Sequence, residues 1–344
     1  MRLKNKDIAE KLGISTTAVS LALNNRPGVS EATRRQVLEL VNSSAAEAIQ
    51  VLNDKSDLST RSILLSVHKK HGEIINDKPF FSDLIETTQQ ELMKHSYNMI
   101  LSHFVPGQSL PQYIQYIKSL PISGVIIMAT ELEEEDLSYY RQLTVPIVLM
   151  DGFFDLEPID SVSLDNQAAM FRAVDFAVKM GHQQIGYLQS ATSITNFRHR
   201  MDGFMKGIRE YGLEAYPHPI IKLPCNVQGA YEEMNRFLDH PPKDFRLPTL
   251  FLAELDYIAL GAMSALQEHG FRIPEDVSMI GYDDLSISAI SSPPLTTTSV
   301  NHMDIGRFSA KILLDRISDP HDCHTSMQIS SELVIRSSVK KLSD

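Results

Sequence analysis

The sequence predicts an α/β protein: a small helix-turn-helix head followed by a body of two doubly wound subdomains. Three observations lead there. The chain has 344 residues, more than one hydrophobic core usually organises. From Arg61 onward, short β-branched or aliphatic runs alternate with amphipathic helical stretches, the pattern of βα units on parallel sheets. The formal charge of −11 is also unevenly placed. Residues 1–36 hold seven basic side chains (Arg2, Lys4, Lys6, Lys11, Arg26, Arg34, Arg35) against three acidic ones (Asp7, Glu10, Glu31), so the rest of the chain carries −15. A basic head on an acidic body approaches a polyanion head first, because the body is repelled.

In the head, Asn5 is placed to cap a helix in which Ile8 and Leu12 recur at i, i+4, and Gly13 supplies the left-handed residue that stops it. Ser15 caps a second helix, with Val19 and Leu23 on one side and Ala18 and Ala22 small enough for close packing. Two helices joined by so short a turn make a helix-turn-helix. A third helix is written in "PGVSEATRRQVLELV": Pro27 and Gly28 lie in the break, Ser30 is the cap, Glu31 is in the first turn, and Val37, Leu38 and Val41 form the apolar stripe. The outward positions of the second helix are Thr16, Thr17, Ser20 and Leu21. Hydroxyls are short donor-acceptors suited to base edges and phosphates, and Leu21 suits a thymine methyl. Asn24 follows on the same helix, and Arg34 and Arg35 on the third helix are placed to reach phosphates.

The body offers eight strand candidates: "SILLSV", "NMILSHF", "GVIIMA" and "PIVLMD", then "QIGYLQ", "PIIKL", "TLFLA" and "SMIGYD". Helices are expected over 82–96, 165–181, 197–212 and 256–270, with stops at Gly181, Gly212 and Gly270. So many strands over this length predict two subdomains.

Ligands of open parallel sheets sit at the carboxyl ends of strands. Asp151 ends "PIVLMD", Asp283 ends "SMIGYD", and Arg200 lies early in the helix after "GYLQSATSITN". Two carboxylates and a guanidinium suit a sugar, whose hydroxyls need charged acceptors and forked donors while its ring faces stack on aromatics. Phe80 and Phe81, after Pro79, and Phe153 and Phe154 are the aromatic candidates.

Other constellations are weak. "HKKHG" and "HDCH" hold His68, His71, His321, Cys323 and His324, but neither supplies four metal ligands at a recognised spacing. The acidic run 131–136, "ELEEED", reads as a helix start on a solvated face. Cys225 and Cys323 imply no disulfide framework. No apolar run approaches a membrane span, and the N-terminus has no apolar leader segment, so a cytoplasmic protein is expected. There is no phosphate-binding loop, nucleophile elbow or H-E-x-x-H, so no catalytic residue, metal or cofactor is expected.

The phrases "DIAEKLGIS", "AVSLALNN", "GVSEATRRQVL", "VPIVLMD", "SVSLDNQAA", "KMGHQQIGYL", "FRHRMDGF", "IALGAMSAL" and "VSMIGYDD" follow one another nearly end to end. In that order they resemble the lactose-repressor/galactose-repressor family of bacterial transcription regulators. The resemblance implies a DNA-binding head over 1–45, a hinge over 46–60 and an effector-binding core of the periplasmic-binding-protein type over 61–344. Lobe 1 is then expected at about 61–162 plus 293–322 and lobe 2 at about 163–292 plus 323–344, with crossings near 161–165, 290–294 and 320–328. The implied DNA contacts are Thr16, Thr17, Ser20, Leu21, Asn24, Arg34 and the hinge residue Leu52. The implied effector contacts are Phe80, Phe81, Asp151, Phe197, Arg200, Asp256 and Asp283. The implied partners are an approximately palindromic operator, a sugar or sugar-derived effector, and a second copy in a homodimer or higher oligomer. A solute-binding module without DNA regulation is the alternative, against which the head argues.

Three departures from the family stand out. Position 21, frequently Arg, is Leu, so a bidentate guanine contact is absent there. The hinge reads "SSAAEAIQVLNDKSD", with Val51 and Leu52 near the minor-groove wedge but Asn53 and Asp54 beside them, so weak wedging is expected. The usual Asn-Asp pair reads Leu255-Asp256, which removes an amide from the expected sugar contacts.

Overall fold

The computed structural model describes residues 5–23, 28–30, 32–38, 40–41, 61–75 and 79–342. The expected contacts Asn24 and Leu52, and the hinge 46–60, lie outside the described residues.

The head holds α1 (Asn5–Leu12), α2 (Thr16–Leu23) and α3, described over 32–38 and 40–41. Gly13 takes φ +65° and turns the chain between the first two helices. The Ser15 hydroxyl accepts the Ala18 amide at 3.1 Å, and the Ser30 hydroxyl accepts the Thr33 amide at 3.1 Å, so each cap satisfies a donor the helix leaves open. Ile8, Ala9, Val19, Ala22 and Val37 are buried together, with Leu12, Ile14, Leu23, Val29, Leu40 and Val41 packed against them.

In chain order the body runs β1 (Ser62–His68), α4 (Pro79–Lys94), β2 (Asn98–Phe104), α5 (Leu110–Lys118), β3 (Gly124–Met128), α6 (Glu134–Tyr140), β4 (Ile147–Met150), β5 (Asp160–Leu164), α7 (Asn166–Lys179) and β6 (Ile185–Ser190). It continues through α8 (Thr195–Glu210), β7 (Ile220–Leu223), α9 (Val227–Asp239), β8 (Leu250–Ala253), α10 (Asp256–Glu268), β9 (Ser278–Asp283), α11 (Ser286–Ile290), β10 (Thr296–Ser299), α12 (His302–Ser318), β11 (Ser326–Ile329) and β12 (Glu332–Val334). Two six-stranded sheets result, ordered β11-β5-β4-β3-β1-β2 and β12-β10-β9-β8-β6-β7. The first pairs β2, β1, β3, β4 and β5 in parallel. The second pairs β7, β6, β8, β9 and β10 in parallel and adds β12 antiparallel at its edge. Strands such as β1, β3 and β8 are buried on both faces, as the helices covering a parallel sheet require.

The chain divides into a unit of 1–162 and 302–327 and a unit of 163–301 and 328–344. Here the expected lobe boundaries need correction. The second changeover falls at 301/302, not near 290–294, because β10 is a strand of the second sheet, paired with β9 and β12. Residues 323–327 stay with lobe 1, where Arg316 donates to the Cys323 carbonyl and Asp160 accepts the Thr325 amide at 2.7 Å. Within lobe 2, α7 and α8 approach so closely that a side chain on Gly203 would overlap the backbone carbonyl oxygen of Gln167.

Candidate DNA-binding and effector-binding sites

Caps and core fix which way α2 faces in the head. Val19 and Ala22 are buried, which leaves Thr16 and Thr17 exposed and Ser20 and Leu21 partly exposed. Leu21 also packs on the turn: its Cδ1 lies 3.2 Å from where a side chain of Gly28 would begin, and Gly28 takes φ +117°. Part of Leu21 is therefore spent on the head itself. Arg34 requires correction, since only 8% of it is exposed, whereas Arg35 beside it is exposed.

In lobe 1, Asp151 lies just past β4 with φ +57° and is 2% exposed; the Thr130 hydroxyl donates to its Oδ2 at 2.6 Å. A positive φ in a residue other than glycine costs energy and is characteristic of functional strand ends. Phe81 and Phe154 are buried in the lobe. Phe80 keeps partial exposure at the start of α4, edge-on to His302 at 4.0 Å between ring centroids.

The solvated reading of "ELEEED" fails at both ends. Glu131 is 2% exposed and accepts four backbone amides of the loop after β1: His71 at 3.1 Å, Gly72 at 2.7 Å, Ile74 at 2.9 Å and Ile75 at 3.0 Å. Asp136 accepts Lys70 at 2.8 Å and lies 3.4 Å from His68. Burial alone would raise its carboxyl, but the bonds from His68 and Lys70 outweigh that and hold it at about 2. The two acids carry the loop that leads towards Phe80.

Lobe 2 brings Phe197, Arg200 and Asp283 together. Arg200 is 4% exposed. Its Nε donates to Asn166 Oδ1 at 2.9 Å, its Nη1 donates to the Glu254 carbonyl, and its Nη2 lies 4.0 Å from Asp283 Oδ1. The guanidinium carbon sits 3.5 Å from the centroid of the Tyr282 ring and 5.2 Å from that of Phe197. Asp283 and Asp284 take φ +115° and +55°, a second strained strand end. Arg336 steadies it, donating to Asp284 at 2.6 Å and to the Leu295 carbonyl at 2.8 Å.

Asp256 does not join this set as a ligand contact. It is fully buried, and its oxygens accept Thr297 at 2.6 Å, Ser288 at 2.6 Å and the Leu285 amide at 2.9 Å. Its work is to hold the loop after β9 against β10. Glu254, Asn166 and Tyr282 are members of the cluster that sequence reasoning missed. Glu254 follows β8 directly, so the strand-end rule that selected Asp151 and Asp283 would have found it.

Burial raises the Glu254 carboxyl to about 7 despite the bonds from the Ser190 amide and Tyr187 and the nearby Arg200 charge. Burial and the neighbouring Asp283 raise Asp256 to about 7 as well, against three hydrogen bonds that lower it. Both hold their protons more tightly folded than unfolded, so this contribution to stability is complete below the ordinary carboxylate range and lost as pH rises through about 7. Chemical denaturation should therefore show this contribution falling between about pH 4 and pH 7. Glu254→Gln combined with Asp256→Asn should flatten that decline; an unchanged decline would assign it to other groups.

Among the described residues no group of three or more His, Cys, Asp or Glu is placed to hold a metal ion, and no helix is long and apolar enough to cross a membrane. Residues 5–45 match the family model described as bacterial regulatory proteins, lacI family, and residues 174–339 match the periplasmic binding protein-like domain. The HTH-type transcriptional repressor PurR of Haemophilus influenzae is 30% identical over 346 residues, covering 98% of each chain. The transcriptional regulator CelR in complex with cellobiose superposes with a TM-score of 0.72 at 21% identity, over 98% of this chain and 100% of that one. The lac repressor dimer bound to operator and the anti-inducer ONPF gives 0.71 at 23% identity, over 99% and 100%. At these identities the two structures speak for the fold. The near full-length likeness to a curated repressor, joined to a helix-turn-helix head and two doubly wound lobes, places this chain in the lacI family of bacterial regulatory proteins, as a DNA-binding transcriptional regulator and not an enzyme.

Proposed function

We propose that this regulator is a repressor that binds an approximately palindromic operator as a homodimer and answers to a small carbohydrate-like effector. Two symmetric heads suit two inverted half-sites. Thr16, Thr17, Ser20 and part of Leu21 face the bases, and Arg35 reaches phosphate. Within lobe 2 the effector contacts are Arg200 and Asp283, with Phe197 as an aromatic neighbour; within lobe 1 they are Asp151 and Phe80.

The observation that carries the effector reading is the lobe 2 cluster: a buried guanidinium laid on the Tyr282 ring beside Asp283, at a strand end held with φ above zero. Such a pair offers a fixed donor fork and a charged acceptor, which is how hydroxyls are recognised. The cellobiose bound by CelR, a neighbour in fold, supports the carbohydrate class. Thermal unfolding of the intact chain against sugars, sugar phosphates and nucleobases tests it. An effector at 100 times its dissociation constant adds about 2.7 kcal/mol of stability. A shift confined to nucleobases would replace carbohydrate with that class.

The head makes a separate prediction. Arg35→Ala should weaken binding to all DNA sequences alike and reduce the slope of log affinity against log salt by about one, whereas Thr17→Ala should change the preferred bases and leave the slope alone. Fluorescence anisotropy across a salt series checks both. An unaltered slope in Arg35→Ala removes that residue from the interface.

A further inference from the structure

We infer that Asn166 is the positioning residue of the lobe 2 effector site: its one amide oxygen holds both the Arg200 guanidinium and the Tyr282 ring on which that guanidinium lies, and so fixes the edge that Arg200 turns to the effector. This rests on the reading of Arg200 as an effector contact and deepens it.

Asn166 is 2% exposed and opens α7. Its Oδ1 accepts Arg200 Nε at 2.9 Å and the Tyr282 hydroxyl at 3.1 Å. An amide oxygen has two lone pairs, and these two donors fill it. They come from different elements, Arg200 from α8 and Tyr282 from β9. Face to face, the guanidinium carbon lies 3.5 Å from the centroid of the Tyr282 ring. A stack of this kind sets the plane of the guanidinium but leaves it free to turn within that plane. The Nε bond to Asn166, joined to the Nη1 bond to the Glu254 carbonyl, removes that freedom. Nη2 is then the group turned towards Asp283, 4.0 Å from its Oδ1.

Asn166 is itself fixed. Asp165 before it caps α7, accepting the Ala168 amide at 3.0 Å, and donates its own amide to the Ile329 carbonyl at 3.0 Å. The Asn166 amide nitrogen adds a longer bond of 3.4 Å to the Leu164 carbonyl. A side chain without an acceptor at this place leaves two buried donors unsatisfied and lets the fork turn, so the effector must order it on binding.

Isothermal titration of the intact chain tests this. D-ribose, D-glucose, cellobiose and guanine are each titrated into the wild type, and the compound bound most tightly serves as the probe. Arg200→Ala should lose that binding. A probe held equally well by Arg200→Ala, or no compound bound by the wild type, overturns the reading of Arg200 and the inference with it. Asn166→Ala should weaken the probe at least about tenfold, whereas Asn166→Asp, which keeps the acceptor oxygen in place, should stay within about threefold of the wild type. In an Arg200→Lys background, which has no Nε, Asn166→Ala should change affinity by less than about twofold. Far-UV circular dichroism establishes that each variant is folded; Asn166→Ser, whose hydroxyl is too short to reach Arg200, takes the place of Asn166→Ala if that variant does not fold. With Arg200→Ala defective, an Asn166→Ala protein that binds the probe like the wild type overturns the inference and leaves the Arg200 reading standing. So does Asn166→Asp as weak as Asn166→Ala, or a loss on Asn166→Ala that is equal in the wild-type and Arg200→Lys backgrounds, since general loosening of the lobe would act in both.

Discussion

Arg200→Ala should abolish the effector's influence on DNA binding while leaving operator affinity nearly intact. Losing one forked, charged contact in a desolvated site costs about 2 to 5 kcal/mol of effector affinity. The residue is not purely a ligand contact, however. It joins α8 to Asn166 at the start of α7 and to the chain just after β8, and it stacks on Tyr282. Removing it leaves the buried Glu254 carbonyl without that donor, so lobe 2 should also lose about 1 to 3 kcal/mol of stability. Arg200→Lys keeps a cation but not the fork, and should weaken the effector with a smaller loss of stability. Anisotropy of a labelled operator during effector titration, with denaturant unfolding in parallel, separates the two effects. An Arg200→Ala protein that responds at the wild-type effector concentration would contradict the assignment.

Gly203→Ala should be among the most damaging single-methyl changes in the core. The added carbon would overlap the Gln167 carbonyl oxygen and crowd its Cα, both backbone atoms on the neighbouring helix. Backbone cannot rotate out of the way as a side chain does, so α7 and α8 must separate along their length. The expected cost is about 3 kcal/mol, and for a domain of this size the melting point falls on the order of 6 to 12 °C. Gly270→Ala is the informative comparison, because Gly270 has φ +84° but open space around it. It should cost only about 1 to 2 kcal/mol, the penalty of the left-handed conformation alone. Equal losses at both positions would mean that helix spacing is not what Gly203 provides.

The alternation of apolar runs and helices made most of the body legible. "PIVLMD" and "SMIGYD" are continuous hydrophobic runs because their strands are covered on both faces, and β4 and β9 lie there. The strands that escaped notice are of another kind. β10 reads "TTTS", with no apolar run, yet Thr296, Thr297 and Thr298 are buried; Ser338 accepts the Thr296 amide, the Thr296 hydroxyl accepts the Arg336 amide and the Thr297 hydroxyl donates to Asp256. A hydroxyl-rich strand of this sort is invisible to hydrophobic periodicity. β5, "DSVSL", is buried throughout and was hidden for the same reason.

Sites were legible where geometry follows from chain position and obscure where it follows from burial. Asp151, Arg200 and Asp283 lie at strand ends or an early helix turn, places that sequence order fixes. Glu131 and Glu254 look like ordinary acids until the loop amides and tyrosine that surround them are seen. Arg34 and Arg35 are neighbours of identical chemistry, and only the packing of α3 tells which is exposed.

Selection of DNA from a random pool by the intact chain, repeated with and without a neutral sugar that raises its melting point, tests the central claim most directly. The account predicts enrichment of one site made of two inverted half-sites, bound with an affinity that falls linearly in log salt. It also predicts that the sugar changes that affinity by about 5- to 150-fold. A pool with no sequence enriched over bulk DNA, or an enriched site whose affinity the bound sugar leaves untouched, would contradict it.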